Sequence, residues 1–263
     1  MVNTAVTLEK EKIKSFLLPE NRDVDISVFE SIDSTNTEAK RRLENGDKRT
    51  MLICAEGQTA GRGRHGKSFY SPEKTGVYFT LVIHPDIPLS LAARATTAAA
   101  VSVVEAIREL TDKKPLIKWV NDVFLDGKKI CGILTEAVSP TDRTKAESLI
   151  IGIGINISTS LFPDEIKDTA SSLGENELDK NELIARICNY LFGYAESLNN
   201  PTHIEKYKKY SLVLGKEITY EKNGRAFFAR AVDIDENGSL KVETENGIET
   251  LDSGEISIKL SDK

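Results

Sequence analysis

The stretch Glu56-Gly57-Gln58-Thr59-Ala60-Gly61-Arg62-Gly63-Arg64-His65-Gly66-Lys67-Ser68-Phe69-Tyr70-Ser71-Pro72 sets four glycines and three fixed cations into a chain whose net charge is −6. Glycine admits positive φ and close approach of backbone to a ligand, and Arg and Lys offer donors to carboxylate and phosphate oxygens. Residues 51–55 before the stretch and 77–83 after it read as short buried strands. It is therefore a strand-to-strand connection of about twenty residues, a length that in compact domains is usually functional or disordered. Its density of glycine and cations favours a loop that wraps a small anionic ligand over a solvated basic turn.

Upstream, residues 9–18 read as a short amphipathic helix ending before Pro19, and residues 24–32 as a strand. Ser34-Thr35-Asn36 follows, and Thr35 with Glu38 matches a capping box, so these polar residues open a helix that Asn45-Gly46 stops. Downstream, a long helix is expected from Ser90, with Leu91, Ala95, Ala98, Ser102, Ala106, Ile107 and Leu110 on one face. Lys118-Trp119-Val120-Asn121-Asp122 then leads to Asp126-Gly127 between two apolar runs, a strong hairpin signal. Simple alternation along the second arm puts Lys129, Cys131 and Ile133 on one face and Lys128, Ile130 and Gly132 on the other. Residues 149–157 read as a buried strand whose Gly152 and Gly154 admit a ligand or another backbone, without the third glycine and following helix of a dinucleotide site. Asp179 with Glu182 starts another helix running to about Leu198, and residues 203–210 form a last short one. From Leu212 the texture changes to short alternating runs punctuated by Asn223-Gly224, Asn237-Gly238, Asn246-Gly247 and Ser253-Gly254, which predicts a small antiparallel barrel or sandwich. The expected units are residues 1–211 and 212–263.

With 263 residues, 40% hydrophobic and 29% charged, the chain has the composition of a globular protein with a substantial core. A pI near 5.3 argues against a general nucleic-acid-binding surface. No uninterrupted apolar run reaches a bilayer-spanning length, and residues 1–14 lack the apolar core of a signal peptide, so no membrane role and a cytoplasmic location are expected. Cys54, Cys131 and Cys188 are odd in number and widely spaced, which suits reduced buried thiols. His65, His84 and His203 show no metal-ligand spacing, and no structural metal is expected.

Four pieces taken together, Ser34-Thr35-Asn36, the Gly61-Arg62-Gly63-Arg64 loop behind Gln58, Lys118 to Asp122 with Lys129 to Leu134, and Gly152-Ile153-Gly154-Ile155-Asn156, resemble the biotin–protein ligases in order and spacing. The likeness runs from about residue 25 nearly to the C-terminus. It implies an α/β (α+β) fold: a mixed sheet with helices, like a class II aminoacyl-tRNA synthetase core, followed by a small SH3-like β-barrel. It also implies an ATP- and Mg²⁺-dependent enzyme that joins biotin, through biotinyl-5′-AMP, to a lysine of a biotin carboxyl carrier protein or domain of a biotin-dependent carboxylase. Carried over by position, the biotin site comprises Ser34, Thr35, Asn36, Gln58, Gly61, Arg62, Arg64, Lys129, Gly132, Ile133, Gly152 and Gly154. The nucleotide site comprises Arg64, Lys67, Phe69, Asn121, Lys129, Ile155 and Asn156, and the catalytic groups are Lys129, Arg64, Arg62 and Asp122. Magnesium would arrive on the ATP phosphates, its protein ligands unassigned.

The chain departs from the family pattern in carrying Val120 where proline is common, His65 and Lys67 where further arginines are common, and Phe69 where tryptophan is frequent. Only about thirty residues precede Ser34, too few for the winged helix that makes some members repressors, so no operator DNA binding is expected. A monomer and a homodimer both stay open. Two other readings remain: a lipoate–protein ligase-like acyltransferase, and a non-catalytic regulator that binds biotinyl-adenylate.

Overall fold

Strands that are apolar on both faces must be covered on both faces, and three such runs build the centre of this protein. The computed structural model describes residues 7–139, 144–222 and 224–258. In chain order its elements are α1 (Lys10–Phe16), β1 (Asp25–Ile32), α2 (Thr35–Glu44), β2 (Met51–Gln58), β3 (Gly76–Ile83), β4 (Ile87–Pro88), α3 (Ala93–Leu110), β5 (Leu116–Lys118), β6 (Asp122–Leu125), β7 (Lys128–Val138), β8 (Lys145–Ala146) and β9 (Ser148–Asn156). After these come α4 (Lys180–Ala195), α5 (Ile204–Lys209), β10 (Glu217–Lys222), β11 (Arg225–Ile234), β12 (Leu240–Thr244), β13 (Gly247–Leu251) and β14 (Ile256–Ile258). The large sheet has the order β1-β2-β3-β9-β7-β6-β5. It is mixed: β1 and β2 run parallel, and the remaining neighbours are antiparallel.

Alternation assigns the two faces. Leu52, Cys54, Phe79, Leu81, Ile151 and Ile153 join the large core on the side covered by α1, α3 and α4. Met51, Ile53, Val82 and Ile150 point the other way, beneath Ala39 of α2. Because α2 covers only part of that second face, the remainder opens to a cavity. Register lines up Lys118, Asp122, Gly132, Gly154 and Tyr78 as one row across this open face. Leu134, Gly152 and Thr80 form the next row.

Several sequence expectations need correction. The second hairpin arm does not alternate simply: Phe124 pairs with Lys129 and Val123 with Cys131, so Ile130 is an extra residue. A bulge shifts the face parity by one. Lys129 therefore shares the open face with Gly132 and Leu134, not with Cys131 and Ile133. The Thr35–Glu38 capping box does not form, for Ser34 is the N-cap and its side chain makes no cap hydrogen bond. Glu38 instead pairs with Arg41 and Arg42. A single 3₁₀ turn at Leu89–Leu91 precedes α3, which starts at Ala93 and not at Ser90. The 22-residue stretch Leu89–Leu110 is also long and apolar enough by composition to cross a membrane, but α3 is mostly buried against the sheet and α4. Asp126 (φ 49°) and Gly127 (φ 80°) make the expected tight turn, and the Asp179 side chain caps α4 by accepting from the Asn181 N–H.

The C-terminal strands form a five-stranded antiparallel sheet of order β13-β12-β11-β10-β14. Gly238 takes φ 82° at one of its turns, as the sequence suggests; Asn223 lies outside the described residues, as do residues 1–6 of the N-terminal segment. The sheet is moored to the rest of the chain by polar contacts on α3 and the segment before β6. The Trp119 indole N–H donates to Gly238 O at 2.8 Å, and the Arg94 guanidinium donates to Asn237 Oδ1 at 2.9 Å. His203 is fully buried beside this joint. Its Nε2 sits 2.8 Å from Thr97 Oγ1, whose hydroxyl donates to Arg94 O, so the ring nitrogen is the donor there.

Candidate active site

The open face of the sheet, the start of α2, the glycine loop and the end of the C-terminal sheet enclose a cavity of about 250 Å³. Its floor is the Gly132–Gly154 pair, bare enough for an aromatic ring to lie on. The Phe69 ring does so: a Cβ on Gly154 would approach it to 2.5 Å, and one on Gly132 to 3.0 Å. Phe69 also meets Tyr78 edge-on at 6.4 Å.

One end of the cavity is polar and uncharged. Thr35 donates through both its N–H (2.9 Å) and its hydroxyl (3.2 Å) to Gln58 Oε1, and Gln58 Nε2 donates to Ser71 Oγ at 2.9 Å. Behind them, Thr80 Oγ1 lies 2.8 Å from Thr35 Oγ1 and 2.7 Å from Asn36 Oδ1. Glycine at 152 is required here, since a Cβ would stand 1.9 Å from Asn36 Oδ1. Ser34, Thr35 and Asn36 are buried, so this end is fixed before any ligand arrives.

The other end is cationic. Arg62, Arg64, Lys67, Lys118 and Lys129 line the cavity against two carboxylates, Asp122 and Glu255. Four of these cations are held by polar partners, and Lys118 Nζ stands 5.4 Å from the Phe124 ring centroid. Lys129 Nζ lies 2.7 Å from Asp122 Oδ1, an ion pair approached off the hydrogen-bond direction, because that oxygen is buried without a directed donor. Arg64 donates to Asn121 Oδ1 at 3.0 Å, and Asn121 Nδ2 donates in turn to Ile133 O. Lys67 Nζ sits 2.5 and 2.7 Å from the two Glu255 oxygens, and its hydrogen bond holds that carboxyl below the usual range. Arg62 forks onto Glu136 at 3.0 and 3.1 Å. Burial lowers the Lys118 ammonium below its ordinary range, partly offset by Asp122. The loop itself closes through the Gly63 N–H donating to Lys67 O and a tip at His65 (φ 54°) and Gly66 (φ 75°).

Of the residues singled out in the sequence, Ser34, Thr35, Asn36, Gln58, Arg62, Arg64, Lys67, Phe69, Asn121, Asp122, Lys129, Gly132, Ile133, Gly152 and Gly154 line the cavity. Three do not. Gly61 sits in the neck of the loop, where a Cβ would meet Phe69 O at 2.4 Å. Ile155 points into the opposite core, as alternation with Gly154 demands. Asn156 is on the open face beyond the cavity, its Nδ2 donating to Ser171 O and its Oδ1 buried without a partner. The cavity also takes in groups given no site role in the sequence: Lys118 and Trp119, Leu134, and residues 254–257. Lys118 has a sequence signal, because it is a lysine on a strand just before the turn to Asp122, with which it pairs. Residues 254–257 have none.

Comparison with known proteins agrees with this geometry. Residues 28–156 match the biotin/lipoate A/B protein ligase family, and residues 213–259 match the biotin protein ligase C-terminal domain. The bifunctional ligase/repressor BirA of Bacillus subtilis is 34% identical over 95% of this chain and 79% of its own length. The chain belongs to the biotin protein ligase family. Among other biotin protein ligases, the biotin–[acetyl-CoA-carboxylase] ligase of Mycobacterium tuberculosis is 27% identical over 88% of each chain. The biotin protein ligase of Aquifex aeolicus in complex with biotin and ATP superposes with a TM-score of 0.74, at 28% identity over 90% of this chain and 99% of that one.

Proposed function

We propose that this biotin protein ligase activates biotin with ATP to biotinyl-5′-AMP and transfers the biotinyl group to one lysine of a biotin carboxyl carrier protein or domain. The observation that carries the reading is the polarity of the cavity: a fixed neutral hydrogen-bonding end and a cationic end, joined by a glycine floor on which the Phe69 ring lies. That shape suits a neutral bicyclic ring whose acidic tail meets a triphosphate. The C-terminal match to biotin protein ligases favours biotin over lipoate.

In the first step a carboxylate oxygen attacks the α-phosphorus and pyrophosphate leaves. Two anions must meet, so cations placed in advance lower the barrier. Lys129 bridges the carboxylate and the α-phosphate, exchanging its contact with Asp122 for both. Arg62 and Arg64 close over the mixed anhydride and keep water away from it. In the second step the neutral amine of the carrier lysine attacks the acyl carbon, AMP leaves, and Asp122, freed from Lys129, orients that amine. Ser34, Thr35, Asn36 and Gln58 hold the ring system. Asn121, Lys67 and Phe69 face the nucleotide.

Magnesium binds largely through phosphate oxygens and needs few protein ligands. The residues present fit such an ion: among the described residues no His, Cys, Asp or Glu trio forms a metal cage, while Asn156 Oδ1 is a buried oxygen with no partner. The ion would neutralise phosphate charge, with the unpartnered Asn156 Oδ1 a candidate ligand from the chain. Residues 1–211 would form the catalytic unit and residues 212–263 a second one. Three buried free thiols suit a reducing, cytoplasmic setting.

The test is pyrophosphate release with biotin and ATP, with and without a carrier domain. Release with biotin, followed by labelling of the carrier, is the expected result. Release with lipoate alone would favour the lipoate reading, and tight binding without release would favour a regulator.

A further inference from the structure

Glu136 stands outside the cavity, on β7, facing the same side as Leu134. Its carboxylate is filled by donors from three directions. Asn36 Nδ2 donates to Oε2 at 3.1 Å, Lys40 Nζ to Oε1 at 2.7 Å, and the Arg62 guanidinium to both oxygens at 3.0 and 3.1 Å. Four donors on two oxygens use the whole acceptor capacity of a carboxylate. Two of those donors belong to cavity-lining residues on different elements, Asn36 on α2 and Arg62 in the glycine loop, and both reach Oε2.

We propose that Glu136 is a positioning residue that locks the neutral end of the cavity and tethers the loop arginine Arg62 over it. Asn36 is clamped between Thr80, on its carbonyl, and Glu136 with Leu134 O, on its amide, against the bare Gly152. The Arg62 backbone is bridged to Ser68 across the loop, and the two-point fork to Glu136 fixes its side chain. An isolated exposed ion pair would be worth little. Here the carboxylate side chain is 20% exposed and one of its partners, Asn36, is buried. In the reaction proposed above, on which the functional part of the inference rests, Glu136 sets how tightly the loop keeps the mixed anhydride.

Glu136→Gln tests this, because an amide offers one acceptor oxygen in place of two and turns its own N–H donors toward Arg62 or Lys40. In ligand-free protein, proteolytic cutting at residues 62–67 should rise about threefold to fivefold, the ratio expected when a fork whose arginine is 39% exposed is lost. With biotin and ATP, escape of the intermediate, read as labelling of bystander lysines, should rise while pyrophosphate release changes less. Lys40→Gln removes another partner of the same carboxylate without touching the cavity and should stay near the parent in both readouts. The double variant Glu136→Gln with Arg62→Gln should be cut no faster at residues 62–67 than Arg62→Gln alone. Should Glu136→Gln fail to fold, Arg62→Gln breaks the same fork from the loop side and must reproduce the increased cutting. Parental cutting rates in Glu136→Gln, or equal effects from Lys40→Gln, overturn the proposal. If the parent releases no pyrophosphate with biotin, the biotin reading fails, but the ligand-free cutting still judges the tether.

Discussion

The extra residue Ile130 determines which of two adjacent lysines faces the cavity. Lys129 falls beside Gly132 on the open face, whereas Lys128 is exposed and its Nζ is 3.4 Å from Lys167 O. An ammonium placed where phosphoryl charge accumulates acts more on the transition state than on the ground state. Lys129→Ala is accordingly expected to lose on the order of 10²–10³ in the rate of pyrophosphate release, with Lys128→Ala within a few-fold of the parent. Equal modest losses in steady-state assays of the two variants would sink the assignment. His203 gives a second residue-scale test. Burial, with Arg94 nearby, pushes the imidazole down to about 4 from 6.5. The unfolded chain then binds the proton more readily than the folded one, so stability rises with pH. The contribution is complete above about pH 6.5 and is lost as pH falls toward 4, a difference of about 2 kcal/mol between pH 7.5 and 5. Urea titrations at the two pH values should show this loss in the parent, and His203→Gln should flatten it even if that variant is weaker at both. At this scale the sequence was legible by residue type and motif but not by face. The bulge has no signature in the letters around Ile130, and plain alternation assigned Gly132 to the wrong lysine.

Among the elements, the glycine loop and the start of α2 make the site, and both were readable as polar, glycine-rich connections. Their internal chemistry was less so. Thr35 looked like part of a capping box, but its hydroxyl is engaged by Gln58 and Thr80, partners from distant strands that no local pattern reveals. Packing at Gly152 supplies a prediction. Asn36 is pinned on both sides, so the Cβ of Gly152→Ala has nowhere to go, and overpacking of this kind costs about 1–3 kcal/mol. Calorimetry should find the variant folded with a lower Tm and with biotin affinity reduced at least tenfold; parental affinity would mean that the neutral end is not where the ring binds. The loop offers another. With glycines at 61, 63 and 66 and few apolar side chains to bury, much of its order rests on ion pairs to Glu136 and Glu255. Cutting at residues 62–67 should be suppressed several-fold by biotin plus ATP, and equal rates with and without them would argue against a closing lid.

For the molecule as a whole, the sequence yielded a mixed sheet with helices and a terminal antiparallel unit, because long apolar strands and regularly spaced turns are strong local signals. The cooperation between the units was not legible. Residues 254–257 line the cavity, and Trp119 reaches across to Gly238 O, through contacts whose partners lie more than a hundred positions apart in the chain. Trp119→Phe keeps an aromatic ring but a smaller one, and it leaves that buried carbonyl without its donor, a loss of about 1–3 kcal/mol for the donor plus the cost of the void. Thermal melts should register it, and the KM for ATP should rise more than that for biotin, since the joint supports the cationic end; an unchanged ratio of the two would confine the bond to stability. The same joint bears on how the protein is made. Synthesis runs from the N-terminus, and the strands bearing Lys129 and the glycine pair can assemble while translation continues. The wall at residues 254–257 cannot, because it follows every other cavity-lining residue in the chain. A nascent chain therefore has no complete cavity, and substrate cannot serve as a template for the growing fold. Binding competence therefore arrives only after the strands that carry the glycine floor have already been made.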